Sequence, residues 1–389
     1  MHRLVFFLVV LLTTCSLYGQ GKKTKRLKEW ISNHPGEKIP VRIEFIEYVD
    51  CFQLNQQFKS NKTPITERIK TVNRKLITQS IKSQQPILNF LNNRQKAGLM
   101  IKPFWIVNVI VAVLDKNTID ELDQFNSIKS IHLEDNKFST IDYHISEQPK
   151  IQQPNGVENG LLAINARPMW DKGYTGRGRL IYNYDTGVWP THPAFSDRFI
   201  GNRYPMHQSW IGFFNSHPNG SIQNHGTHTL GTIAGLVEST NDTIGVAFKS
   251  YWIANDFVTS TVAQLPPITN MIEAFQWALN PDNDTSTTYD VPDVINNSWR
   301  WYDGGDTIHC GGFVVDLMNA IEAAGIANIF SGDEIVDVAV DTTKKNGDIA
   351  LNGSSSSSSS SSTYMIAEWG SVQSPAHLPR GAASNKDRE

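Results

Sequence analysis

The chain has 389 residues, 40% hydrophobic and 19% charged, with a net charge of -3. That length and apolar content allow two folded domains, while the near-neutral balance argues against a nucleic-acid partner, which leaves a strongly basic footprint. The three cysteines, Cys15, Cys51 and Cys310, give no disulfide framework, and no Cys/His spacing resembles a structural zinc site.

In chain order, residues 1–19 read as an export signal: Arg3 precedes the apolar run 4–12, and small and polar residues follow. The run is too short for a bilayer, which needs about 20 apolar residues, and no later segment is long enough either. A secreted protein without a transmembrane segment or lipid anchor is expected. Residues 20–37 carry Lys22, Lys23, Lys25, Arg26 and Lys28 and are expected to be a mobile, basic lead-in.

A small domain is expected over 38–136. Residues 41–48 are rich in β-formers and read as a strand. Thr63 and Pro64 mark a helix start, and Ile65, Ile69, Val72 and Leu76 recur at helical steps. Pro86 is expected to kink or restart that helix. Residues 104–114 read as one strand region, Asn117 as the cap of a short helix carrying Ile119 and Leu122, and 128–133 as a last strand. Short strands with two helices on one face suit an α+β sandwich. Residues 137–158 are polar and read as a linker.

Over 159–333 the texture changes. Strands at 180–184, 251–254, 294–296 and 326–330 alternate with helices at 228–236, 270–279 and 314–324. This alternation predicts an α/β unit, a parallel sheet with helices on both faces, whose working groups gather at the strands' carboxyl ends. Residues 334–389 contain the serine run 354–362 and a polar end, and are expected to be disordered.

Two places carry chemistry. Asp185 ends the 180–184 strand and is followed by Thr186-Gly187; alone, this is a common turn. His225 opens the stretch His225-Gly226-Thr227-His228-Thr229-Leu230-Gly231-Thr232-Ile233-Ala234-Gly235. It is expected exposed at a helix start, with Gly226 giving the backbone room.

Together these blocks resemble the subtilisin-like serine proteases, the subtilases. The likeness rests on Asp185-Thr-Gly-Val with His192-Pro193 downstream, on the His225–Gly235 block, on Pro292-Asp-Val-Ile-Asn-Asn-Ser298-Trp299, and on Ala323-Ala324-Gly325-Ile-Ala-Asn-Ile-Phe-Ser331. It covers residues 161–331. The layout of 38–136 is similar to the family's ferredoxin-like propeptide, an intramolecular inhibitor and folding aid. The resemblance implies a serine endopeptidase acting on polypeptides by acyl transfer. His225 would be the general base, Asp185 its orienting carboxylate, and Ser298 and Trp299 would offer main-chain groups to an extended substrate. No cofactor is required for such chemistry; structural calcium occurs in the family, but no ligand set for it is legible.

Three departures bear on activity. Arg300 stands where a small residue is usual. Ser331-Gly332-Asp333-Glu334 replaces Ser-Ala-Gly-Asn, putting acidic groups where an amide should stabilise an oxyanion. No Gly-Thr-Ser-Met-Ala block is present, Asn352-Gly353-Ser354-Ser355 being a faint echo, so no nucleophile is identified. The expectation is therefore a truncated or inactive chain. One alternative is a non-catalytic peptide-binding relative. Another is a metal hydrolase with His225, His228 and Asp185 as ligands, although the usual His-Glu-x-x-His glutamate is missing.

Overall fold

The computed structural model describes residues 21–94, 100–134, 156–220, 224–258, 268–299 and 312–330, with the backbone of 337–339 and 350–352. The expected signal segment, most of the linker, Arg300, residues 331–334 and the serine run lie outside the described residues.

The first unit runs α1 (Lys25–Asn33), β1 (Ile39–Phe45), α2 (Cys51–Ser60), α3 (Ile65–Arg94), β2 (Ile101–Phe104), β3 (Val109–Leu114), α4 (Lys116–Glu121) and β4 (Ile128–Leu133). Its antiparallel sheet has the order β2-β3-β1-β4, a βαββαβ path. One sheet face, with Val41, Ile43, Ile110 and Ala112, packs on Leu27, Ile87, Leu91 and Ile119. The other face sends Val109 and Val111 into a larger core shared with the second unit.

Several expectations are corrected here. The lead-in is not mobile: α1 is capped by Thr24 and buries Leu27 completely, and Lys23 pairs with Asp120 at 3.2 Å and also with Asp123. Charge in a sequence marks only the outer face of such a helix. Pro86 neither ends nor restarts α3, which is continuous for 30 residues. In the turn before it, Gln84 donates to the Phe104 carbonyl at 2.8 Å and Ser83 to Asn108 Oδ1 at 3.0 Å, tertiary bonds that hold the helix against the proline's preference. The 104–114 run is two strands, because Asn108 turns the chain at φ 49°. The cap of α4 is Asp115, whose carboxylate accepts the Thr118 N–H at 2.8 Å, rather than Asn117.

The second unit continues with α5 (Asn159–Ala163), α6 (Arg167–Asp171), β5 (Leu180–Tyr184), β6 (Trp210–Ile211), α7 (His225–Ala234), β7 (Leu236–Val237), β8 (Asp242–Thr243), β9 (Tyr251–Asn255), α8 (Ile268–Leu279), β10 (Val294–Asn297), α9 (Phe313–Ala324) and β11 (Ala327–Phe330). Five strands form one sheet in the order β11-β10-β5-β9-β6, and every pair in it is parallel. β5 is buried along its whole length. Its Leu180, Tyr182 and Tyr184 face α8 and α9, while Ile181 faces α7. Helices thus cover both faces, the α/β class that the alternation predicts. In the tail, β12 (Asp337–Ala339) pairs antiparallel with β13 (Ala350–Asn352), so this stretch is not structureless throughout.

The two units are clamped at two helix ends. Arg68 on α3 donates from Nε to the Ala323 carbonyl and from Nη2 to the Glu322 carbonyl, both at 3.0 Å. These are carbonyls of the last turn of α9, where the regular helical bonds run out; the Glu322 carbonyl also accepts the Gly325 N–H at 2.8 Å. Asn73 donates to the Leu279 carbonyl at the end of α8 at 2.7 Å. Gln276 of α8 accepts the backbone N–H groups of Trp105 at 2.7 Å and Ile106 at 3.2 Å, and Arg42 lies over the Phe313 ring at 4.2 Å.

Candidate active site

β5 sits between β9 and β10, so the chain passes over it between those two strands, making a switch point. In open α/β sheets, crevices open at the carboxyl end of such a strand. Asp185 is the residue there. Gly187, at φ 102°, turns the chain away immediately afterwards, and a Cβ on it would strike the Asn219 carbonyl. This is a position only glycine fills.

α7 brings His225 to the same place. Asp185 Oδ1 lies 2.7 Å from His225 Nδ1 and also accepts the Thr186 N–H at 2.7 Å. Oδ2 accepts the Thr229 hydroxyl at 3.0 Å. The Asp185 N–H donates to Asn255 Oδ1 at 3.0 Å. Asp185 is fully buried, whereas the His225 side chain keeps 18% of its surface exposed. The imidazole is therefore largely enclosed, not freely exposed as the sequence suggested. Burial pulls His225 toward the neutral form, but the hydrogen bond and charge of Asp185 outweigh it, and the group sits above its usual pKa. The Asp185 acceptor oxygen on Nδ1 selects the tautomer with the proton on Nδ1 and the basic lone pair on Nε2.

The first turn of α7 is pinned to the strand end. The Gly226 N–H donates to Thr186 Oγ1 at 3.0 Å, and Asn183 donates to the Gly226 carbonyl at 2.9 Å. A Cβ on Gly226 would collide with the Gly187 carbonyl oxygen and press on the Asp185 Cβ at 3.1 Å. The expected room for the backbone is thus room for the Asp185 turn. Gly231 meets nothing within 4 Å and has no such role. His228 is exposed and stands apart from the pair.

Asp256, which follows β9, is fully buried. It accepts the N–H groups of Phe213 at 2.6 Å, Phe214 at 3.2 Å and Asn215 at 2.7 Å, and the Asn215 side-chain amide at 2.9 Å. These bonds hold the loop whose Asn219 abuts Gly187. Thr229, Asn255 and Asp256 were missed from the sequence. Thr229 was findable, because it lies four residues after His225 on the same helix face. The other two depend on long-range partners.

At the end of β10, Ser298 is half-buried and its hydroxyl accepts from Asn296 at 2.9 Å. The Trp299 indole is 3% exposed and packs on Tyr184 at 5.0 Å, Phe257 at 5.5 Å and Phe330 at 5.4 Å. Only its main chain could meet a ligand. Among the described residues, no three His, Cys, Asp or Glu side chains gather as a metal site; the pairing of His225 Nδ1 with Asp185 and the exposure of His228 separate the ligand set of the metal-hydrolase alternative. Among the described residues no helix is long and apolar enough to cross a membrane.

Residues 176–366 match the model of the subtilase family. Bacillopeptidase F of Bacillus subtilis is 26% identical over 338 residues, 77% of this chain and 23% of that protein. Subtilisin E of Bacillus subtilis is 30% identical over 191 residues, 49% of this chain and 44% of that protein. Among solved structures, fervidolysin from Fervidobacterium pennivorans aligns at a TM-score of 0.43 and 14% identity, over 77% of this chain and 40% of that one. The chain spans less than half the length of these two curated relatives. Through residues 176–366, this chain belongs to the subtilase family.

Proposed function

We propose that the chain derives from a secreted serine endopeptidase precursor, in which Asp185 and His225 form the base half of a Ser/His/Asp acyl-transfer site. The observation carrying this reading is the 2.7 Å contact between His225 Nδ1 and a buried carboxylate at the switch point of the sheet. In this chemistry, Nε2 of the imidazole takes the proton of a serine hydroxyl as it attacks the peptide carbonyl, then delivers it to the leaving amine. Asp185 keeps the tautomer and balances the imidazolium charge. Main-chain groups at Ser298 and Trp299 would pair with an extended polypeptide substrate by strand addition. Residues 38–136 would serve as an intramolecular inhibitor and folding aid; their side chains Arg68 and Asn73, which complete the ends of α9 and α8, support that part. The apolar run at 4–12 supports export.

A second reading is a peptide-binding relative that does not cut. The acidic Asp333 and Glu334 in place of the oxyanion amide favour it. A fluorophosphonate probe separates the two. Covalent labelling of the purified protein, lost in His225→Ala, supports the protease. Peptide binding without any labelling supports the second reading and overturns the first.

A further inference from the structure

β5 carries an asparagine where an apolar side chain would serve packing better. Asn183 is fully buried in the middle of that strand, and a buried amide is costly unless its donor and acceptor are bonded. Its partner across the parallel pair with β10 is a second asparagine, Asn296. The Gly226 carbonyl can only accept, so it fixes which way the Asn183 amide points. Nδ2 donates to that carbonyl at 2.9 Å. Oδ1 is left for Asn296 Nδ2 at 3.1 Å and for the Thr229 hydroxyl at 3.3 Å. Asn296 Nδ2 also donates to Ser298 Oγ at 2.9 Å, so each of its two amide protons has an acceptor.

The Thr229 hydroxyl has one proton and three oxygens within reach. Asp185 Oδ2 lies at 3.0 Å, the Gly226 carbonyl at 3.2 Å and Asn183 Oδ1 at 3.3 Å. A threonine inside a helix ordinarily turns its proton back to a carbonyl of the preceding turn, as Thr232 does to His228 at 3.2 Å. At Thr229 that carbonyl already receives the Asn183 amide, and Asn183 Oδ1 already receives Asn296. Both rivals hold a donor, and the carboxylate oxygen is the nearest of the three.

We propose that Asn183, itself held by Asn296, is a positioning residue of the Asp185–His225 pair: the two amides fill the rival acceptors, which sends the Thr229 proton to Asp185 Oδ2 and fixes the rotation of the carboxylate. With Oδ2 held by Thr229 and Oδ1 by the Thr186 N–H at 2.7 Å, the carboxylate presents Oδ1 to His225 Nδ1. The role rests on the reading of that pair as the base half of an acyl-transfer site. Asn183 acts through Thr229 and Asp185, not on a substrate. The same network ties Ser298, just past β10, to Asp185 through Asn296, Asn183 and Thr229.

The test follows the His225 pKa by histidine NMR in the full chain and needs no proteolysis. Thr229→Val removes the hydroxyl at nearly constant shape and lowers that pKa by roughly 0.5 to 1 pH unit, the weight of one ordinary hydrogen bond. Thr229→Ser restores it. Thr232→Val, the same change further along α7, leaves it in place. Asn183→Leu lowers it by a similar amount, yet adding it to Thr229→Val lowers it no further, because both act through one proton. Asn296→Ala, at a half-buried position, reads the same dependence if Asn183→Leu does not fold. A parent His225 titrating at or below 6.5 defeats the pair, and its positioning with it. A raised parent value that Thr229→Val leaves unmoved overturns the positioning role alone. So does a second, additive fall in the double variant, which makes Asn183 a pin for the α7 turn and nothing more.

Discussion

Replacing Arg68 with alanine removes the guanidinium that joins the first unit to the end of α9. Arg68 is 7% exposed and makes two bonds to α9 carbonyls and a third to Asn55 Oδ1 at 2.6 Å. Hydrogen bonds from a charged donor contribute about 1.5–3 kcal/mol, and a partly buried cation at a helix C-terminus contributes up to about 2 kcal/mol. These descriptions overlap, so the expected loss is about 3 kcal/mol rather than their sum. That corresponds to roughly a hundredfold weaker grip of the first unit on the second. Urea unfolding of the full chain reads the loss. Hydrogen exchange localises it, with faster exchange at Gly325 and Ile326, whose N–H groups close the end of α9. Arg68→Lys recovers only part of the stability, because one ammonium cannot reproduce the planar fork. A loss under about 0.5 kcal/mol, or full recovery by lysine, would refute the clamp.

Two further outcomes follow from the same structure. Gly226→Ala forces a methyl group against the Gly187 carbonyl and Asp185, costing about 1–3 kcal/mol by overpacking and lowering the His225 pKa as the pair separates; thermal melting and histidine NMR check both effects. Glu134, 7% exposed, is held up to about 7 by burial, against the opposing pull of Arg42. An acid whose pKa is raised on folding binds more protons folded than unfolded, so stability is greatest below its unfolded value of 4.5 and falls as pH rises to about 7. Glu134→Gln should remove roughly 3 kcal/mol of that decline, read from urea midpoints across the range.

The second unit was largely legible in the sequence because short strand segments alternate with stretches of helical spacing. β5 and β9 are short, mostly apolar runs, β10 begins with Val-Ile, and α7, α8 and α9 carry helical spacing, so the alternation gave the parallel sheet and set Asp185 at a strand end. The first unit was less legible where local signals and tertiary bonds disagree. The WIVNVIVAVL run hides a turn, because apolar residues continue through Asn108. α2 escaped notice: its Leu54 and Phe58, four apart, are too few to stand out in ten residues. α1 was hidden by its charges. At the site, the aspartate–histidine pair was visible as motif, while Asn255 and Asp256 act on partners tens of residues away, which no local pattern encodes.

The central claim is that a buried Asp185 holds the His225 imidazole, and a histidine-detected NMR titration tests it most directly. His225 should titrate above 6.5, with the stability it lends present below 6.5 and lost as pH rises through its folded value. In Asp185→Asn, only burial remains, and His225 should fall below 6.5. A His225 that titrates at or below 6.5 in the parent chain, or that ignores the Asp185 substitution, would contradict the account.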